Sequence, residues 1–363
     1  MKKIDINKFV IDHIQQIKPF DPAEPLDSMA EKAGVEPEKI IRLNANENPY
    51  GPSPLVKEAI KKLQPNIYPD PEQNVIRTAL SNFTDMPKET ILCGAGSDEL
   101  IDLLFRLFCT PKNNVIECDP TFGMYSFCAR ITGAQIISVP RDNNFEIDIN
   151  AVKSAINPET RIIFINSPNN PTGNLAKQND IETLLETGLI VVIDEAYYEF
   201  TDKSFAKLVL QHNNLIVLRT MSKWAGLAGL RIGYGLMSSK LAELTMAVKN
   251  PYNVSNIAEQ SLIISLNHSN DLMKRIDTIN AHRDELVDKL NKMTNLKVYP
   301  SSANFVLCKV IESGVNELNI NLIKEGVFVR LFPSEDLKNC FRVSIGTEDE
   351  NSYFLEKLIK HIK

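Results

Sequence analysis

Residues 161–194 read RIIFINSPNNPTGNLAKQNDIETLLETGLIVVID. The stretch opens on one β-branched run, Arg161–Asn166, and closes on another, Leu189–Asp194, with a helical segment between them. Short apolar runs bounded by turn residues read as strands buried on both faces. A strand, a helix and a strand in that order make a crossover, which lays the two strands parallel in one sheet. The alternation extends outward through Asn114–Cys118, Ala134–Val139, Leu215–Arg219 and Arg231–Leu236. From Ile91 to Leu236 the chain is therefore expected to be α/β, on a largely parallel sheet. Leu241–Met293 reads as helical, with Leu272, Ile276, Ile279, Leu286 and Leu290 at helical spacing. The pattern then changes to strands at Ala303–Val310, Val327–Leu331 and Cys340–Ile345. Helices at Val315–Glu325 and Glu348–His361 complete a smaller α+β unit. The first 45 residues are broken by Pro19, Pro22, Pro25 and Pro37. Phe9, Val10, Ile14 and Ile17 are too apolar for water, so this segment is expected to pack on the molecule as an arm.

The whole chain has 363 residues, 43% hydrophobic and 24% charged, with a net charge of −6. That content supports a large core and excludes disorder. A mildly acidic chain without a basic stripe is not built to grip nucleic acid. No apolar stretch reaches the roughly 18 residues that a membrane helix needs, and no apolar segment follows Met1-Lys2-Lys3 as in a signal peptide. The six cysteines have no C-x-x-C spacing and are expected to be buried thiols, which fits a cytoplasmic protein. The five histidines form no metal-binding spacing, so no metal site is expected.

Ligands of open α/β sheets bind beyond the carboxyl ends of the strands. At the first such end, Gly94-Ala95-Gly96-Ser97-Asp98-Glu99 turns into the amphipathic run Leu100–Phe108, an arrangement that offers backbone N–H groups to an anion. It is neither a Walker A nor a G-x-G-x-x-G fingerprint, because position 99 is glutamate, and this weighs against a nicotinamide-binding dehydrogenase. At the second end, Ser167-Pro168-Asn169-Asn170-Pro171-Thr172-Gly173 is a rigid polar turn that fixes an amide. The third places the carboxylate of Asp194 at the mouth of a buried strand, where it demands a partner. The fourth runs Thr220-Met221-Ser222-Lys223, with Arg231 eight positions after the lysine. A lysine among small and apolar residues is placed to stay neutral and act as a Schiff-base nucleophile. An anion cradle, a strand-end carboxylate, a polar turn and a sheltered lysine together match what pyridoxal phosphate needs.

The blocks Asn-Asn-Pro-Thr-Gly (169–173), Asp-Glu-Ala-Tyr (194–197) and Ser-Lys…Gly-Leu-Arg (222–231) resemble, in order and spacing, the class II aminotransferases of fold-type I. The resemblance spans nearly the whole chain, from Leu43 to Thr347. The opening Leu-Asn-Ala-Asn-Glu-Asn-Pro-Tyr-Gly-Pro (43–52) is similar to the histidinol-phosphate branch. The resemblance implies a large domain with a mostly parallel seven-stranded sheet sandwiched by helices, at 46–285. It also implies a small α+β domain at 286–363 and an N-terminal arm, 1–45, that contributes to the small domain and to a dimer contact.

Residue by residue, it implies pyridoxal 5'-phosphate held as a Schiff base by Lys223, with Asp194 on the pyridine nitrogen and Tyr197 and Asn170 on the ring oxygen. Gly96, Ser97, Asp98, Thr220, Ser222 and Arg231 would hold the phosphate, and Tyr68 would reach the phosphate of a neighbouring subunit, implying a homodimer with shared sites. Phe122 would stack on the ring, without the hydroxyl of the tyrosine that is common there. Phe20, Asn46, Arg330 and Arg342 would face substrate, and Phe20 stands where several relatives carry tyrosine. The implied reaction is a ping-pong exchange of histidinol phosphate and 2-oxoglutarate for imidazole-acetol phosphate and glutamate, in histidine biosynthesis. The same cofactor residues would serve an aromatic amino acid aminotransferase or a threonine-phosphate decarboxylase. A cofactor-binding regulator with a DNA-binding head is disfavoured, because the first 45 residues are too short and too weakly basic.

Overall fold

The computed structural model describes residues 4–311 and 314–362. Thirteen strands, β1 to β13, run Ile41–Arg42, Ile91–Gly94, Asn114–Asp119, Gln135–Pro140, Thr160–Asn166, Ile190–Asp194, Leu215–Thr220, Gly233–Met237, Leu296–Val298, Phe305–Val310, Val327–Phe328, Arg330–Leu331 and Cys340–Ser344. Seven of them form the central sheet, in the order β2-β8-β7-β6-β5-β3-β4. All of its pairings are parallel except the two made by β8. The strand–helix–strand unit at 161–194 is thus two parallel neighbours, with Asn166 opposite Asp194.

The middle strands of the sheet are predominantly apolar because helices cover them. β2, β7 and β8 are buried along their whole length, and β6 is buried after its first residue. The edge strand β4 alternates toward solvent and ends on Pro140, which an edge tolerates because that residue has no N–H to donate. The helix Ser97–Phe108 buries Leu100, Ile101, Leu103, Leu104 and Phe105 against the sheet. Since β8 alone runs against the others, the carboxyl ends of β2, β5, β6 and β7 open on one edge. Gly94 and Thr220 lie there on either side of Gly233, the first residue of β8.

The second sheet is antiparallel, in the order β12-β13-β10-β9, and β1 pairs separately with β11. The helix Ser269–Leu290 runs unbroken through residues 285 and 286 and leads from one sheet to the other. The expected strand Val327–Leu331 is two strands. Val327–Phe328 pairs with Ile41–Arg42, whereas Arg330–Leu331 pairs with β13, so the run changes partner at Val329. The helical stretch expected over Leu241–Met293 is three helices, Ser239–Val248, Asn256–Asn267 and Ser269–Leu290. The first break falls at Lys249-Asn250-Pro251, where proline cannot continue the ladder.

The arm packs in part as expected: Val10, Ile14 and Ile17 are half-buried and Met29 is buried. Phe9 departs from expectation and is 79% exposed, with Ile4, Ile6 and Ile11 beside it in water. Its first two 3₁₀ turns, Ile6–Phe9 and Ile14–Gln16, bury no residue. His13 ties it down instead: the ring hydrogen-bonds Ile131 O at 3.0 Å and lies over Gly133, where a Cβ would meet it at 3.0 Å. The six cysteines are all buried and free. Among the described residues no helix is long and apolar enough to cross a membrane.

Candidate active site

The strand ends converge on one cavity of about 400 Å³. Every residue singled out in the sequence lines it except Gly96 and Tyr68. Gly96 lies just behind the wall. Tyr68 is 76% exposed and stacks on Tyr252 at 4.4 Å, outside the cavity within this subunit.

Asp194 ends β6 and is 1% exposed. A carboxylate in that position must be met by donors, and here Tyr125 Oη donates to Oδ2 at 2.8 Å and the Ala196 N–H to Oδ1 at 3.1 Å. Burial still pushes its carboxyl up to about 6. Such a group is stabilised as an anion by any cation that reaches it. Lys223 follows β7 on a loop anchored by Trp224, which is fully buried and stacked on Phe83 at 5.7 Å. Lys223 Nζ donates to Ala45 O at 3.2 Å. Desolvation, and then repulsion from Arg342, bring its ammonium down to about 8, so an appreciable share of the amine is neutral near neutral pH.

The polar turn after β5 is fixed from both sides. Asn166 Nδ2 donates to Asp194 O at 2.8 Å and its Oδ1 accepts from the Asn170 N–H at 2.7 Å, which couples the two strand ends. The Ser167–Pro168 and Asn170–Pro171 bonds are cis. Asn170 Oδ1 accepts from Arg342 Nη1 at 2.5 Å, which assigns its amide orientation and leaves its NH₂ free to donate into the cavity. Tyr197 Oη accepts from Asn46 Nδ2 at 3.0 Å, so its own proton is also free to donate. Asn46 is held in turn by Ser344, whose Oγ donates to Oδ1 at 2.9 Å. Burial raises the Tyr197 hydroxyl above its ordinary value and keeps that proton in place.

Opposite this wall the helix Ser97–Phe108 presents its N-terminus without a side-chain cap. Thr220 and Ser222 bring hydroxyls 2.9 Å apart, and Arg231 Nη2 meets Asp98 Oδ2 at 2.8 Å. Two glycines make the approach possible. A Cβ on Gly96, whose φ is +83°, would sit 2.5 Å from Arg231 Nη2, and one on Gly233 would sit 2.6 Å from the Ser97 nitrogen. Uncapped N–H groups, two hydroxyls and a guanidinium in one corner make a donor set suited to an anion.

A sequence profile of the family described as Aminotransferase class I and II matches residues 38–358. The chain belongs to this family. A relative from Roseiflexus castenholzii named histidinol-phosphate aminotransferase is 40% identical over 355 residues, covering 95% of this chain and 96% of the relative. A relative of the same name from Dehalococcoides mccartyi is 42% identical over 321 residues, covering 88% and 90%. The solved structure of histidinol-phosphate aminotransferase from Sinorhizobium meliloti in complex with pyridoxal-5'-phosphate has a TM-score of 0.87. It is 24% identical and covers 96% of each chain, a likeness of fold.

The donor set of this aminotransferase fits pyridoxal phosphate group for group: an amine for the aldehyde, a buried carboxylate for the ring nitrogen, two free donors for the ring oxygen, and the glycine-lined corner for the phosphate. Several contributors were not singled out in the sequence. Tyr125 lies three residues after Phe122, with the two rings edge to face at 5.8 Å, and nothing local in the sequence marks its hydroxyl as a partner of Asp194. Asn166 was visible as the last residue of its strand. Ala45 O, Asn44 and Asp21 reach the cavity through backbone or tertiary placement, which has no local signature.

Proposed function

We propose that this chain is a pyridoxal-phosphate-dependent transferase that exchanges the amino group of histidinol phosphate with 2-oxoglutarate, yielding imidazole-acetol phosphate and glutamate. The observation that carries the reading is the single cavity in which Lys223, Asp194 and the Ser97 corner meet on separate strand ends, with Arg330 and Arg342 on the opposite wall. The names of the relatives at 40–42% identity support the choice of substrate. When bound, pyridoxal phosphate supplies an aldehyde and an electron-withdrawing ring that stabilise negative charge on the substrate's Cα.

The chain's own residues supply the rest. Lys223 Nζ, neutral in appreciable part, would serve as the base at the substrate's Cα and return the proton to the carbon on the far side of the amino nitrogen. Asp194 would hold a proton on the ring nitrogen of the cofactor, and Tyr125 Oη, donating to Asp194 Oδ2, fixes the orientation of that carboxylate. Tyr197 and Asn170 would donate to the ring oxygen. Phe122 would cover the ring face with apolar surface and keep water from it. Arg330 and Arg342 receive the anionic ends of both substrates, a phosphate monoester and a dicarboxylate, by charge-assisted hydrogen bonds. Two unlike substrates share one site because both are anions of similar reach.

On this reading residues 46–285 carry the cofactor, while 286–363 together with 1–45 carry the anion sites. The exposed Tyr68 reaches the cofactor phosphate of a second subunit, which makes the enzyme a homodimer with shared sites. Free buried thiols suit the reducing cytoplasm.

The test is a half-reaction. The protein loaded with pyridoxal phosphate is offered histidinol phosphate, phenylalanine and threonine phosphate in turn. Loss of its visible absorbance with histidinol phosphate, and recovery with 2-oxoglutarate, is the expected result. Conversion of phenylalanine alone, or release of bicarbonate from threonine phosphate, rejects the assignment.

A further inference from the structure

Asp21 stands at the cavity mouth in a position that the chemistry above leaves without a role. It belongs to the proline-broken arm, whose residues Phe20 to Ala23 line the rim. Arg330 Nη2 donates to Asp21 Oδ2 at 2.8 Å and to Asp21 O at 3.1 Å. The Phe20 ring beside it is docked edge-on against Phe127 at 5.7 Å, and Gly123 leaves it room, so the segment is seated where the contact forms. The two substrate-facing arginines therefore differ in kind. Arg342 is 6% exposed and bonded to neutral acceptors, Asn170 Oδ1 and Asn44 O. Arg330 already holds a carboxylate, and that carboxylate is the chain's own.

We propose that Asp21 is an affinity-setting residue of the substrate site: its carboxylate occupies Arg330 as an internal stand-in for the substrate anion, which must displace it to bind. The proposal rests on the reading of Arg330 as a substrate-anion site. A guanidinium nitrogen carries two N–H groups, and both of those on Nη2 are directed at Asp21. A second anion placed on the same guanidinium also meets the charge of the first. Displacement is cheap, because the Asp21 side chain is 84% exposed and the Arg330 side chain 28%, and pairs open to water are weak. The contact therefore lowers affinity for every anion that uses Arg330 by a small factor, about two- to fivefold. It also links the arm to occupancy of the site: an anion that takes Arg330 removes one of the contacts that hold residues 20–23 at the rim.

The sign of one change in affinity tests this. Glutarate, a dicarboxylate with no oxo group to react, is titrated calorimetrically into the enzyme loaded with pyridoxal phosphate, with inorganic phosphate as a second probe. Asp21→Asn and Asp21→Ala are expected to bind glutarate about two- to fivefold more tightly than the parent. Asp21→Glu should restore the parent affinity, and the gain should shrink at high salt. Arg330→Ala should weaken binding, and adding Asp21→Ala to it should bring no gain, since the two act on one contact. If Arg330→Ala weakens binding while the Asp21 variants leave it unchanged or weaker, the stand-in role is wrong and the anion site remains. If Arg330→Ala changes nothing, the anion site is wrong and the proposal falls with it.

Discussion

Asp194 and Lys223 meet in one cavity, and the same exclusion of water moves them in opposite senses, the carboxyl up to about 6 and the ammonium down to about 8. Each shift has a measurable consequence. A carboxyl whose folded-state pKa exceeds its unfolded value contributes stability below the unfolded pKa, and loses it as pH rises through the folded one. Near pH 7 the charged Asp194 therefore burdens the cofactor-free protein. Asp194→Asn should raise the cofactor-free protein's stability at pH 7 by about 1–3 kcal/mol, read by urea unfolding, with the gain vanishing near pH 4. The same variant should lose transaminase activity, because an amide cannot hold a proton on the ring nitrogen. A variant less stable at pH 7 than its parent contradicts the assignment of strain to Asp194. For Lys223, covalent capture of added pyridoxal phosphate needs the neutral amine. Its rate should rise with pH about a midpoint near 8, followed by absorbance, whereas a midpoint near 10 would show an amine in ordinary solvent.

Behind the cavity the ends of β6 and β7 are joined by a pair that touches no substrate. Glu195, next to Asp194, meets Arg219, next to Thr220, at 2.9 Å, with side chains 1% and 5% exposed. Arg219 Nη2 also donates to Ser204 Oγ at 2.7 Å, and its guanidinium lies 3.5 Å from the centre of the Tyr198 ring. Breaking a buried pair leaves one charge uncompensated. Glu195→Ala should therefore cost about 3–5 kcal/mol in chemical unfolding. Glu195→Leu combined with Arg219→Met should cost much less than the sum of the single changes. Additive losses would mean that the pair does not act as a unit.

The strands that carry the site were legible in the sequence, because each is a β-branched run ending on a polar residue that apolar packing does not explain: Asn166, Asp194 and Thr220. The change of partner inside Val327–Leu331 was not, since a strand-like run interrupted only by Arg330 carries no mark of where one sheet ends and another begins. Tyr125 reads locally as one more core aromatic, and only its position beneath Asp194 shows what its hydroxyl does. Asp21 was hidden because the fold, not the local sequence, brings the arm to Arg330.

For the molecule as a whole, a net charge of −6 is compatible with anionic substrates because Lys223, Arg231, Arg330 and Arg342 outnumber Asp21, Asp98 and Asp194 in the lining of one cavity. The exposed Phe9, Ile11, Ile67 and Tyr68 contrast with the enclosed core, and the proposed shared-site dimer would account for Tyr68 among them. Shared sites make a distinct prediction. Subunits carrying Lys223→Ala and subunits carrying Tyr68→Ala, mixed and refolded together, should regain activity that neither has alone, because a mixed pair holds one intact site. No recovery in a mixture shown to contain mixed dimers would place Tyr68 outside the site.

The central claim is that this one cavity binds pyridoxal phosphate through Lys223. Borohydride reduction of the loaded protein, followed by peptide mass mapping, tests it most directly. The account predicts one pyridoxyl-phosphate adduct per chain, on Lys223, and none in Lys223→Ala; an adduct on another lysine, or an unchanged yield in that variant, would contradict it.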